Sequence, residues 1–139
     1  MALTGDYLVD KSAEARLHVP EIASRLGFLA GAGRVVACSV SDLEIGFSAR
    51  SGHHYREIMD NRQAMSHAPT SQSTLDLALS LQRRLADIGH HRVSIADLII
   101  SACAIENDLT VLHYDRDFDV IGSVSELQSE WIVHAGSVP

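Results

Sequence analysis

The sequence predicts an α/β domain, a three-layer fold with a central parallel sheet and helices on both faces. Two observations carry the prediction, and a third shows where its binding edge would lie. Short strand-like runs have consecutive rather than alternating apolar residues, as strands covered on both faces do. They alternate with stretches of helical periodicity, the pattern of strand-helix-strand crossovers. Acidic residues also recur just past the ends of these runs, the edge at which such sheets bind ligands.

Tyr7-Leu-Val-Asp10 reads as the first strand. Residues 12–31 read as helical with a break at Val19-Pro20, since proline is tolerated in a first helical turn. Ile22, Leu26 and Leu29 repeat at helical spacing, and Gly-Ala-Gly closes the segment. Residues 34–40 (RVVACSV) form the second expected strand, followed by a helix from Asp42 and another from about Tyr55 to Ser66. Residues 67–71, with Pro69, break the pattern. A long helix from Ser73 should bury Leu75, Ala78, Leu79, Leu81, Leu85 and Ile88 and stop at Gly89. Residues 94–107 are apolar nearly all round and predict a buried helix. Residues 110–115 give a third strand, 118–123 a short helix and 131–133 a late edge strand. The expected domain is therefore a single one over 1–133, with a frayed tail at 134–139.

The 139 residues suffice for one core without covalent staples. A hydrophobic content of 46% excludes a disordered chain. No apolar run approaches a membrane span, and the first residues have no basic, apolar leader. Cys38 and Cys103 sit in apolar surroundings and read as buried, reduced thiols. Together these features lead us to expect a cytoplasmic protein. The net charge of −7 argues against a polyanionic partner held by general attraction. The cations are almost all arginine, whose fork can bond two phosphate oxygens.

Asp10 ends the first strand, Asp115 ends the third, Glu44 lies past the second, and Asp97 falls in the first turn of the buried helix. Four or five carboxylates in one crevice could not all stay ionised without a cation. Hard oxygen donors favour Mg²⁺ or Mn²⁺. Such an ion activates water and neutralises a phosphoryl oxygen, so the implied chemistry is phosphodiester hydrolysis.

Each acid also has a plainer reading. Ser41-x-x-Glu44 and Ser94-x-x-Asp97 are capping-box patterns, Asp10 and Asp115 could cap helices, and Asp117 and Asp119 could be solvated charge. What favours a site is that the strand-end acids share one edge, which caps have no reason to prefer. A calcium loop at 115–126 is rejected, because Val120 stands where its turn needs glycine. The paired histidines 53-54 and 90-91 lack zinc spacing and read as exposed loop residues. There is neither a nucleophile elbow nor a glycine-rich phosphate loop.

In order, YLVDKSA, SDLEIGFSAR, SIADLIISACA and VLHYDRDFDVI resemble the PIN-domain ribonucleases, and among them the VapC toxins, over Tyr7 to Trp131. The resemblance implies a PIN fold and Mg²⁺- or Mn²⁺-dependent endoribonuclease activity on tRNA or ribosomal RNA. It further implies a homodimer and neutralisation by a VapB-like antitoxin, an arginine of which could enter the acidic crevice. Asp10, Glu44, Asp97 and Asp115 match the family's acidic quartet, and Asp117 an additional acid near the metal.

Lys11 departs from the pattern, standing where a small hydroxyl residue is usual, while Ser12 retains the next hydroxyl and could orient Asp10. We expect Lys11 to point away and pair with a surface acid. The sharper alternative has its ammonium touching phosphate or partly replacing a second metal. Two other readings of the chain stay open: a non-catalytic RNA- or protein-binding module of the same fold, and a metal-dependent phosphatase of small molecules.

Overall fold

The computed structural model describes residues 5–139; the reading of the first residues as carrying no leader lies outside them. Five strands form one parallel sheet in the order β3-β2-β1-β4-β5, from β1 (Tyr7–Val9), β2 (Val35–Ala37), β3 (Ser66–His67), β4 (Thr110–His113) and β5 (Gln128–Trp131). The helices are α1 (Lys11–Glu14), α2 (Pro20–Gly31), α3 (Ser39–Phe47), α4 (Gly52–Gln63), α5 (Gln72–Asp87), α6 (Ile95–Glu106) and α7 (Asp117–Gly122). The expected three-layer α/β class is what the structure has.

The consecutive apolar residues of the strands explain the layers. β1 is central, pairing Leu8 with Val36 on one side and with Val111 on the other. These three side chains join Ile100, Cys103 and Ala104 of α6 and Phe118 of α7 on one face. The next residues along, Val9 and Leu112, turn to the other face and meet Ile22, Leu26 and Leu29 of α2. A third cluster joins Ala78, Leu81 and Leu85 of α5 to Leu98 and Ala102 of α6 and Ile121 of α7. So α6 is packed on two sides, which accounts for its nearly uniform apolarity.

Local signals set the element ends. Pro20 opens α2 as its first residue. Gly33 at φ +69° turns the chain out of α2, and Gly89 at φ +79° ends α5. Several expectations need correction. The second strand is only three residues long, and α3 begins at Ser39 rather than Asp42. Cys38 is its N-cap, and the Ser41 hydroxyl bonds back to the Cys38 backbone N–H at 3.0 Å. Glu44 is therefore not half of a capping box with Ser41.

Helix α4 starts three residues earlier than expected, and β3 adds an edge strand where only a break was read. On α5, Leu75, Leu79 and Ile88 are exposed, so the buried stripe is narrower than the periodicity suggested. The late strand begins at Gln128 rather than 131. The tail is also tied down: the Tyr114 hydroxyl donates to the Val138 carbonyl at 2.7 Å, and Arg16 Nε donates to the Pro139 carbonyl at 2.9 Å.

Candidate metal centre

Three of the five predicted acids are placed by helix starts at the carboxyl edge of the sheet. Asp10 follows β1 and caps α1, its Oδ2 accepting the Ser12 backbone N–H at 2.9 Å. Asp115 follows β4, and its Oδ1 accepts the Asp117 N–H at 2.9 Å. Asp97 lies in the first turn of α6, whose N-cap Ser94 accepts the Asp97 N–H at 3.5 Å. Capping and clustering thus coexist, because the N-terminal ends of these helices point partial positive charge at the same edge. Glu44 comes from the middle of α3 and Asp117 from the first residue of α7.

The structure brings all five together. Ligand oxygens of Asp10, Glu44 and Asp97 lie within 4.8 Å of one another, as do those of Asp97, Asp115 and Asp117. Asp97 belongs to both groups. It is buried, and burial together with the charges of Asp10, Asp115, Asp117 and Glu44 pushes its carboxyl up to about 8. Asp117 is also raised, by burial and then by Asp115, and a Ser94 backbone N–H holds it back. Asp10 Oδ1 is buried with no hydrogen-bond partner among the described residues. An orphaned carboxylate oxygen amid mutually repelling acids is a donor set that a hard divalent cation completes.

Asp119 lies outside both groups and accepts the Trp131 indole N–H at 3.0 Å. The accessory residues differ from expectation. Ser12 orients Asp10 through its backbone N–H, while its hydroxyl accepts the Tyr114 N–H at 2.8 Å and ties α1 to the chain leaving β4. Ser12→Ala should leave that N–H unpaired and cost about 1–2 kcal/mol in urea unfolding. Lys11 does not pair with an acid outside the five: its half-exposed Nζ is 3.5 Å from Glu44 Oε2.

Two groups were missed from sequence. Arg62 of α4 is buried and uses its whole fork. Nε donates to Asp42 Oδ1 at 2.5 Å, one terminal nitrogen to both Glu14 oxygens at 3.1 Å, and the other to the Ser41 hydroxyl at 3.1 Å. His67 Nε2 meets the second oxygen of Asp42 at 2.7 Å. This network locks the helix that follows Asp10 to the helix that carries Glu44. No local pattern marks Arg62, which sits in a polar helix.

His113 is the second; of the histidines expected in loops, His53 and His54 instead lie on α4. His113 is fully buried at the end of β4, and its Nδ1 accepts the Asp115 N–H at 3.1 Å. Burial holds its imidazole below the usual range, in the neutral form that this acceptor role requires. The cysteines are free and buried, as expected.

Residues 7–124 match the family model for the PIN domain. Ribonuclease VapC21 of Mycobacterium tuberculosis is 39% identical over 137 residues, which cover 97% of this chain and 99% of that protein. Ribonuclease VapC51 of the same organism is 38% identical over 132 residues, covering 95% and 96%. Among solved structures, the crystal structure of DNA-bound VapBC from Salmonella typhimurium superposes with a TM-score of 0.75 at 13% identity. That match covers 94% of this chain and all of the other. With a PIN-domain match over most of its length and relatives aligned nearly end to end, this chain belongs to the PIN-domain family and, within it, to the VapC ribonucleases.

Proposed function

We propose that this protein is the toxin of a toxin–antitoxin pair, an endoribonuclease that hydrolyses RNA phosphodiester bonds with Mg²⁺ or Mn²⁺. The observation that carries the reading is Asp97, a buried carboxyl shared by two acidic groups and pushed up to about 8 by burial and by its acidic neighbours. Asp10, Glu44, Asp97 and Asp115 are the ligands and catalytic acids in this reading, and Asp117 is the accessory ligand. A divalent ion there supplies a more acidic water and neutralises charge on the phosphoryl oxygens.

The chain's own residues supply position. Ser12 and Asp117 backbone N–H groups each hold one oxygen of Asp10 and Asp115, and His113 fixes the backbone at Asp115. Exposed Arg92 and Arg116, close in sequence to Ser94 and Asp115, are the cations proposed to contact the RNA backbone. A structured RNA such as tRNA or ribosomal RNA is the proposed substrate, met through the metal and these few cations rather than through a basic surface.

A VapB-like antitoxin is the proposed partner, and a homodimer the proposed assembly. Apolar side chains left in solvent on α3 (Leu43, Phe47) and on α5 and α6 (Leu75, Leu79, Ile95) support a chain that is covered by partners. No helix among the described residues is long and apolar enough to cross a membrane, and the cytoplasm is the compartment this reading assigns.

Purified protein incubated with total RNA should generate new RNA ends with Mg²⁺ or Mn²⁺ and none with EDTA. Sequencing those ends identifies the target. RNA binding without metal and without any product would instead support a non-catalytic module. Turnover of nucleotide monophosphates but not RNA would support a phosphatase.

A further inference from the structure

The two acidic groups share Asp97 and so have the layout of a site for two cations, but their surroundings differ. On one side, the Asp115 carboxylate is held by the Asp117 backbone N–H at 2.9 Å, and the Ser94 backbone favours the charged form of Asp117. On the other side a side-chain cation is already present, since Lys11 Nζ lies 3.5 Å from Glu44 Oε2. The position of that ammonium is set by the fold. Lys11 is the first residue of α1, directly after the buried cap Asp10, and Glu44 faces it from α3.

An ammonium is a compact donor with no lone pair. It can neutralise a carboxylate but cannot ligate a metal. A divalent ion bonded to Glu44 would have to displace it or sit beside it, with like charges close together at a partly desolvated site.

We propose that Lys11 is a built-in counter-cation that takes the place of a second divalent ion. The chain then binds one divalent ion, centred on Asp97 and drawing on Asp115 and Asp117, and Lys11 narrows the ligand set proposed above by satisfying the Glu44 side. The inference rests on reading the cluster as the metal site of a nuclease.

Calorimetric titration of the full chain with Mn²⁺ near pH 7.5 tests it, together with Lys11→Arg and Lys11→Met. Wild type and Lys11→Arg should each bind one ion per chain, and Lys11→Met should bind two. Lys11 is half exposed, and removal of its ammonium leaves the helix cap intact, so circular dichroism should show all three proteins folded. Two ions on a wild type that cleaves RNA would overturn the role of Lys11 and leave the nuclease reading standing. One ion on Lys11→Met would do the same. No Mn²⁺ bound by wild type, with RNA left intact, would remove both.

Discussion

Asp97→Asn is expected to abolish RNA cleavage, by more than about 100-fold, and at the same time to stabilise the metal-free protein at pH 8. The two effects have one cause. In the fold the Asp97 carboxyl is raised from an ordinary 3.8 to about 8, chiefly by burial and then by four neighbouring acids. A group that holds its proton more tightly when folded contributes stability below its unfolded value of about 4. That contribution is lost as pH rises through about 8. Metal-free wild type should therefore weaken across this window relative to Asp97→Asn, whose amide cannot ionise. The variant should gain about 1–3 kcal/mol over wild type at pH 8 and little at pH 4.

Mg²⁺ should reverse the order at pH 8, because it binds the ionised cluster and releases a proton, and should do much less at pH 5. Thermal melts of both proteins at the two pH values, with Mg²⁺ and with EDTA, check this. An Asp97→Asn protein that melted below metal-free wild type at pH 8 would show that Asp97 stabilises the fold rather than straining it.

Arg62→Met is expected to be the most damaging single change away from the acids. Methionine fills much of the stem volume but takes from Glu14 and Asp42 their shared cation, leaving Asp42 only His67. Removing one partner from a buried ion pair costs about 3–5 kcal/mol, because the remaining charge is left uncompensated. Here two acids and the Ser41 hydroxyl lose a partner together. Burial already raises the Glu14 carboxyl, with Arg62 opposing that rise, so in the variant Glu14 should hold its proton to higher pH than in wild type. Arg62→Lys keeps the charge but cannot reach three partners with one point donor, and should recover only part of the loss. Urea unfolding measures both; a loss below about 1 kcal/mol in Arg62→Met would mean that the network is incidental.

The contrast between these two residues shows what could be read from the sequence. The strands were legible because three or four apolar residues in a row have few alternatives in a chain of this composition. Their alternation with helices then gave the sheet, its carboxyl edge and the acids along it. Asp10 and Asp115 followed from strand ends alone. Asp97 needed the family pattern, and its position as the member common to both groups emerged only in three dimensions.

The start of α3 was misjudged because its N-cap is Cys38, a residue seldom used there, and Ser41 offered a familiar pattern one turn too late. β3 was invisible because two residues, one of them His67, carry no periodicity. The leucines exposed on α5 were assigned to the core because amphipathic spacing marks an apolar face without saying what covers it. Arg62 left no trace in the sequence, since its partners Glu14 and Asp42 are set by packing between helices far apart in the chain.

The placement of β1 has a consequence for how the protein is born. β1 is made first but sits in the middle of the sheet, and its β4 side is completed by pairing Tyr7 with Thr110. Contacts across so long a stretch form late and slowly. During synthesis from the N-terminus, Asp10 and Glu44 emerge early, whereas Asp97, Asp115 and Asp117 arrive with the last third of the chain. A nascent or prematurely terminated polypeptide lacking β4 has neither the closing strand nor the acids that follow it. Assembly of the acidic cluster therefore waits for the last third of the chain, and its timing is set by the chain's own topology.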